Sequence, residues 1–251
     1  MKIGIALSGG GSRGFAHLGA LKALNELSIK PAMITGTSAG SLVGAFTAAG
    51  YSPDFIFDTI QSLGIMSSLK FAFTRFGLFK MEKVEEIILE YIPHNSFEKL
   101  KIPLVVCATD IEASEAVYFS KGELIKPIMA SCSIPGIFEP IKFQNRVLVD
   151  GGIINNLPIE PLEGICDFII GINVTPVGNN MPINSARDVL TKSMYIAIRN
   201  KSSEKLKRCD IGIEPPEIET FNGLSMAKAK EIYQLGYEHT LRAAEGKLAN
   251  L

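Results

Sequence analysis

Apolar and polar positions along the chain alternate between two kinds of segment. Short, nearly continuous apolar runs come at Lys2–Leu7, Met33–Thr35, Leu104–Ala108, Ala116–Phe119, Val147–Val149 and Phe168–Val174. Runs this short, rich in Ile and Val and apolar without a break, predict strands covered on both faces. Between them lie stretches with apolar residues at helical spacing. Ser12–Leu27 carries Phe15, Leu18, Leu21, Leu24 and Leu27, and Ser38–Ala49 is small and apolar until Gly50. Further helices are predicted at Pro53–Leu63, Met81–Tyr91, Ile125–Ser131, Ala186–Lys207 and Met226–Ala244. The last two are charged along one side, which places them on the outside. Strand, turn, helix, strand, turn, helix is the order that builds a parallel sheet with crossover helices. The expected fold is α/β with a mostly parallel central sheet. One domain over residues 1–251 is expected, with a core over about 2–174 and C-terminal helices over about 186–248.

Composition narrows the function classes. A 47% hydrophobic and 20% charged chain is that of a folded protein. The 25 basic and 26 acidic residues leave no cationic excess to attract nucleic acid. The apolar start Ile3–Leu7 is too short for a signal sequence and runs straight into glycine. No apolar stretch approaches the roughly 20 residues of a membrane span. A cytoplasmic chain is the expectation. The four cysteines, Cys107, Cys132, Cys166 and Cys209, form no C-x-x-C pair, and His17, His94 and His239 complete no metal-ligand spacing. They read as reduced thiols in the core, with no metal.

Two glycine turns follow the first two strands. Gly9-Gly10-Gly11-Ser12-Arg13-Gly14 matches the dinucleotide fingerprint G-x-G-x-x-G. That fingerprint wants an acid about 20 residues on, and Ile34-Thr35-Gly36-Thr37 has none. The alternative use is an oxyanion hole, with consecutive N–H groups at a helix start aimed at one spot. Arg13 adds a charge, or a grip on a phosphate oxygen. Gly36-Thr37-Ser38-Ala39-Gly40 is G-x-S-x-G between strand and helix, the setting of a nucleophile elbow.

A serine needs a base. A triad on such an elbow runs Ser, acid, His along the chain. His94 precedes any suitable acid, His239 sits in a charged helix, and His17 lies upstream of Ser38. Of the three, His17 fits best, because its helix starts at the glycine loop; a carboxylate can serve instead. Asp150-Gly151-Gly152 follows the strand Val147–Val149 and precedes the polar turn Asn155-Asn156-Leu157-Pro158. A partly desolvated aspartate in direct contact with Ser38 has the basicity the step needs.

In this order, Gly-Gly-Gly-Ser-Arg-Gly, Gly-Thr-Ser-Ala-Gly and Asp-Gly-Gly resemble the three signature blocks of patatin-like phospholipases. Ala130-Ser131-Cys132-Ser133-Ile134-Pro135-Gly136 resembles the helix end and proline turn before the family's aspartate block. The resemblance runs from Lys2 to about Val174. It implies a three-layer α/β fold and a Ser38–Asp150 dyad that works without metal or cofactor on acyl esters of glycerolipids and lysolipids. It also implies an oxyanion site lined by Gly10, Gly11 and Arg13, with Gly9 in the same loop.

Leu63–Met81 mixes Phe71, Phe73, Phe76, Leu78 and Phe79 with Lys70, Arg75 and Lys80. Three readings stand for it: contact with lipid or a membrane surface, core packing, and an interface in a homo-oligomer. Two other functions stay open beside lipid hydrolysis. One is an esterase or thioesterase for small acyl substrates, and the other a non-enzymatic nucleotide-binding or regulatory module using the glycine loop.

Overall fold

The structure is a computed structural model that describes residues 1–62, 81–176, 183, 186–221, 223 and 225–245. Leu63–Met81 therefore falls outside the described residues, apart from Met81 itself. Eight strands make one sheet: β1 (Ile3–Leu7), β2 (Met33–Thr37), β3 (Leu104–Asp110), β4 (Glu115–Phe119), β5 (Ile141–Phe143), β6 (Arg146–Asp150), β7 (Phe168–Ile172) and β8 (Ile211–Ile213). Their order is β5-β6-β3-β2-β1-β7-β8, with β4 also paired to β3. β3-β2-β1-β7-β8 is parallel throughout, while β4, β5 and β6 pair antiparallel. The helices are α1 (Phe15–Glu26), α2 (Ala39–Ala49), α3 (Pro53–Ser62), α4 (Glu82–Tyr91), α5 (Ile125–Ser131), α6 (Ala186–Arg208) and α7 (Ala229–Glu245). The expected α/β architecture, a mostly parallel sheet flanked by helices, is the observed one.

Side-chain alternation divides the core into two layers. Along β1, Ile3, Ile5 and Leu7 enter the large cluster shared with α1–α5 and α7. Ala6 faces a smaller cluster with Leu157, Ile159, Leu162 and Leu206. Period two along a strand gives each face its own partners. The second face is lined by small residues: a Cβ on Gly171 or Gly212 would lie within 2.7 Å of Cys209 or Leu206. That lets the end of α6 close down on the sheet.

No described helix is long and apolar enough to cross a membrane. The late segments are part of the body. β8 extends the parallel sheet, and α7 packs on α1 through a glycine crossing. A Cβ at Gly19 would sit 1.9 Å from the Tyr233 carbonyl oxygen, and one at Gly236 2.0 Å from that of Ala16. These clashes are with backbone, so neither helix can yield by a rotamer change. Gly19→Val is expected to cost about 3 kcal/mol or more, read as the urea midpoint.

Candidate active site

The register of β3 brings two distant loops together. Cys107 pairs with Tyr118 of β4 on one edge and Thr37 of β2 on the other. Ala108, the next residue, pairs with Val117 of β4 and Asp150 of β6. β2 and β6 therefore lie end to end along the same edge of β3. β2 runs parallel to β3 and β6 antiparallel, so their C-terminal ends meet head-on. The residue that leaves β2 is Ser38, and the residue that ends β6 is Asp150. Chain crosses this seam at Gly151, where a Cβ would lie 2.3 Å from the Cys107 carbonyl oxygen. The Asp-Gly sequence is thus set by close approach at the join.

Ser38 has φ 52° and ψ −124°. A side chain in this left-handed region stores about 1–3 kcal/mol of strain and persists where its surroundings over-determine it. Here they do. The Ser38 amide donates to Ser131 Oγ at 2.7 Å, and Ser131 Oγ donates to the Cys107 carbonyl at 2.6 Å. The Ser38 carbonyl accepts from the Ser41 amide at 2.9 Å and the Ser41 hydroxyl at 2.7 Å. Gly40 lets α2 start hard against β1, since a Cβ there would lie 2.4 Å from the Leu7 carbonyl oxygen. The turn after α5 also holds the other loop, because the Asp150 amide donates to the Ser133 carbonyl at 2.9 Å. Ser131→Ala removes the brace on the strained turn. The expected loss is about 1–2 kcal/mol of stability and about tenfold in turnover, measured by thermal melts and ester hydrolysis.

Asp150 is buried, and the neighbouring Ser38 hydroxyl favours its ionised form. Its Oδ1 accepts from the Gly152 amide at 2.7 Å. Burial raises its pKa, and these two neighbours offset that in part, leaving it pushed up to about 6. The group is mostly ionised at neutral pH yet far more basic than a solvated aspartate.

The glycine loop sorts into different roles. The Gly9 amide donates to the Asn156 carbonyl at 3.1 Å, so it is spent on the Asp-loop side. The Gly10 and Gly11 amides have no partner among the described residues. Arg13 points elsewhere than expected: its Nε donates to the Phe221 carbonyl at 3.0 Å and its Nη2 to the Glu219 carbonyl at 3.3 Å. The Gly9 amide and these two Arg13 nitrogens thus reach carbonyls of the chain itself. Asn156 buttresses three loops at once. Its carbonyl takes the Gly9 amide, its side chain donates to Thr175 Oγ1 at 2.9 Å, and its Oδ1 lies over Gly152.

Ser38 lines a cavity of about 140 Å³ together with Gly11, Ala39, Phe15, Leu18, Leu42, Val43, Met81, Val84, Ile134 and Phe138. Cys132 also lines it. Its thiol lies 3.9 Å from Ser41 Oγ, and burial pushes its pKa up to about 12, so it is a neutral apolar wall. All four cysteines are free, with Cys107 and Cys209 buried and Cys132 and Cys166 half-buried.

The histidines stand apart from this centre. His17 is fully buried, with Nε2 2.8 Å from the Ser8 carbonyl, and desolvation holds it neutral with a pKa lowered to about 4. It anchors the strand end before the glycine loop. His94 sits before the Ser96 turn, and His239 lies beside Glu217. Ser131, Cys132, Asn156 and Phe138 are site residues that pattern reading assigns no role. The signal for Ser131 and Cys132 is the Ala130–Gly136 block, a small-residue helix end ahead of the aspartate strand, and Asn156 stands in the polar turn after Gly152.

A strained serine turn next to a buried carboxylate and an apolar cavity is the geometry found here, and sequence comparison names the family. The sequence model for "Patatin-like phospholipase" matches residues 5–163, and the chain belongs to that family. It is 33% identical over 190 residues to an uncharacterised NTE family protein of Mycobacterium tuberculosis, covering 74% of this chain and 52% of that protein. It is 27% identical over 270 residues to the lysophospholipase nte1 of Aspergillus niger, covering 94% of this chain and 18% of that protein. The chain thus spans about half the length of the mycobacterial relative. Among solved structures, VipD from Legionella pneumophila superposes with a TM-score of 0.56 at 15% identity over 98% of this chain and 67% of that one, a likeness of fold.

Proposed function

We propose that the chain is a serine acyl hydrolase that cleaves acyl esters of lysophospholipids or related lipids through Ser38 and Asp150. One observation carries the reading: Ser38, held in a strained turn on the wall of an apolar cavity, stands beside a buried Asp150 whose pKa is pushed up to about 6. Family membership and the lysophospholipase among the relatives support the lipid substrate.

The mechanism follows from the groups in place. Asp150 takes the Ser38 proton as Oγ attacks the ester carbonyl carbon, and the carbonyl π electrons move onto its oxygen. The Gly10 and Gly11 amides face that oxygen, with Ala39 N–H at the start of α2 adding the positive end of a helix dipole. Each well-aimed donor contributes about 3–4 kcal/mol. The tetrahedral species collapses, the C–O bond to the alcohol breaks, and Asp150 returns its proton to the leaving oxygen. Water then attacks the acyl-serine, giving its proton to Asp150. Breakage of the Oγ–acyl bond frees the fatty acid as Ser38 Oγ takes that proton back. The cavity wall, with Phe15, Val84 and Phe138, accepts the acyl chain and contributes about 0.8 kcal/mol per buried methylene.

The test presents purified protein with lysophosphatidylcholine and with p-nitrophenyl esters of graded acyl length. Fatty-acid release from the lysolipid that depends on Ser38 is the expected result. Turnover confined to the shortest soluble esters favours the small-substrate esterase instead. Tight nucleotide binding with no ester turnover favours the regulatory module.

A further inference from the structure

The family match ends at residue 163, yet the cavity wall continues beyond it. Gly223 and Met226, between β8 and α7, line the same cavity as Ser38. This late stretch is fastened to the oxyanion turn by three hydrogen bonds. The Ser12 amide donates to the Gly223 carbonyl at 2.8 Å, and Arg13 donates to the Phe221 and Glu219 carbonyls. A planar guanidinium reaches two carbonyls at once, which a lysine ammonium on its flexible stem does poorly. Contact between the two pieces is backbone on backbone. Gly11 has φ +58°, and a Cβ there would lie 2.2 Å from the Gly223 carbonyl oxygen. The far end is fixed too, since α7 crosses α1 at Gly236 and Gly19, and α1 begins where the oxyanion turn ends.

We propose that Arg13 is a positioning residue that latches the stretch carrying Glu219, Phe221, Gly223 and Met226 over the oxyanion turn, and that Met226, held there, gauges the length of acyl chain the cavity accepts. The proposal rests on the reading of Ser38 as an acyl-transfer nucleophile. Its content is that an arginine in the most recognisable motif of the chain acts on the acyl group through the C-terminal segment. It makes no charge contact with the substrate.

The experiment measures kcat and KM on p-nitrophenyl butyrate, octanoate and palmitate for the wild type, M226A, R13K, R13Q and R13K/M226A. Fluorophosphonate labelling of Ser38 and a thermal melt on each variant report that the centre is intact. M226A is expected to shift the palmitate-to-butyrate ratio of kcat/KM by at least about fivefold toward the longer chain. R13K and R13Q are expected to raise KM for palmitate about tenfold and change that for butyrate much less. With the latch gone, adding M226A to R13K should leave the profile where R13K alone put it. R13Q, neutral and smaller, serves if R13K fails to fold. An equal loss at all chain lengths in R13Q that R13K restores would mark direct charge contact and overturn the proposal. So would an M226A shift of the same size in both backgrounds. An unlabelled wild-type Ser38 would instead remove the underlying functional reading, and a labelled one with an unmoved chain-length profile removes this proposal alone.

Discussion

Ser38→Ala and Asp150→Asn are each expected to lower kcat/KM for an acyl ester by at least about 10⁴-fold, and the double variant to lose little more than either alone. Nucleophile and base act as one unit, so their losses do not add. Ser38→Ala leaves no atom to form the acyl bond. Asp150→Asn keeps the shape and the hydrogen bond from Gly152, but cannot take a proton. No described histidine is placed to stand in: His17 is buried against the Ser8 carbonyl and neutral. Steady-state hydrolysis of one soluble ester across the three variants checks the result. A double variant roughly as inactive as the product of the two single losses would separate the roles of the two residues.

The second large effect is in pH. The proposed mechanism needs Asp150 as the carboxylate, and burial pushes its pKa up to about 6. In the free enzyme kcat/KM is therefore expected to fall tenfold per pH unit below about pH 6 and to level off above it. Stability moves the opposite way. In the unfolded chain the group ionises near its ordinary value of 3.8 and in the folded chain near 6. Between those values the folded state holds more protons, so stability falls as pH rises through this window. Above it the folded protein carries the full cost of a buried charge. Asp150→Asn removes that cost and is expected to stabilise by about 2 kcal/mol at pH 8 while conferring nothing below pH 4. Thermal melts of both proteins at pH 4 and pH 8 check it. A variant that is inactive and yet more stable is the signature of a group kept in place for chemistry.

How far the sequence spoke depends on whether a feature is local. The strands at Lys2–Leu7, Leu104–Ala108 and Phe168–Val174 were legible because central strands are apolar on both faces, and each is found within two residues of its predicted ends. β5 and β8 are three residues long and sit at the edges of the sheet, too short for a period to declare itself. β2 was expected to stop at Thr35 but runs through Gly36 and Thr37. Pairing with β1 and β3 imposes the extended form there, which local propensity does not predict.

The candidate site was legible for a similar reason. The elbow and the Asp-Gly-Gly turn each have a local glycine signature, and their order along the chain gave the family resemblance. Their meeting was not legible, because it depends on β2 and β6 abutting along one edge of β3. The loop pattern and the family resemblance placed Gly9 and Arg13 with the oxyanion site. Their partners, at Asn156 and at Glu219 and Phe221, lie well over a hundred residues away, beyond the reach of any local motif. The Ser131 brace, hidden at a helix end, was missed on the same grounds.

The most direct test of the account is the rate at which a fluorophosphonate modifies the protein, followed by mapping of the modified residue, across pH 4 to 9 in the wild type and in Asp150→Asn. The account predicts a single adduct at Ser38 whose rate of formation rises with an apparent pKa of about 6, and at least about a thousandfold slower, pH-independent labelling in the variant. Labelling of Ser38 at an undiminished rate without the Asp150 carboxylate, or an adduct on a different serine, would contradict it.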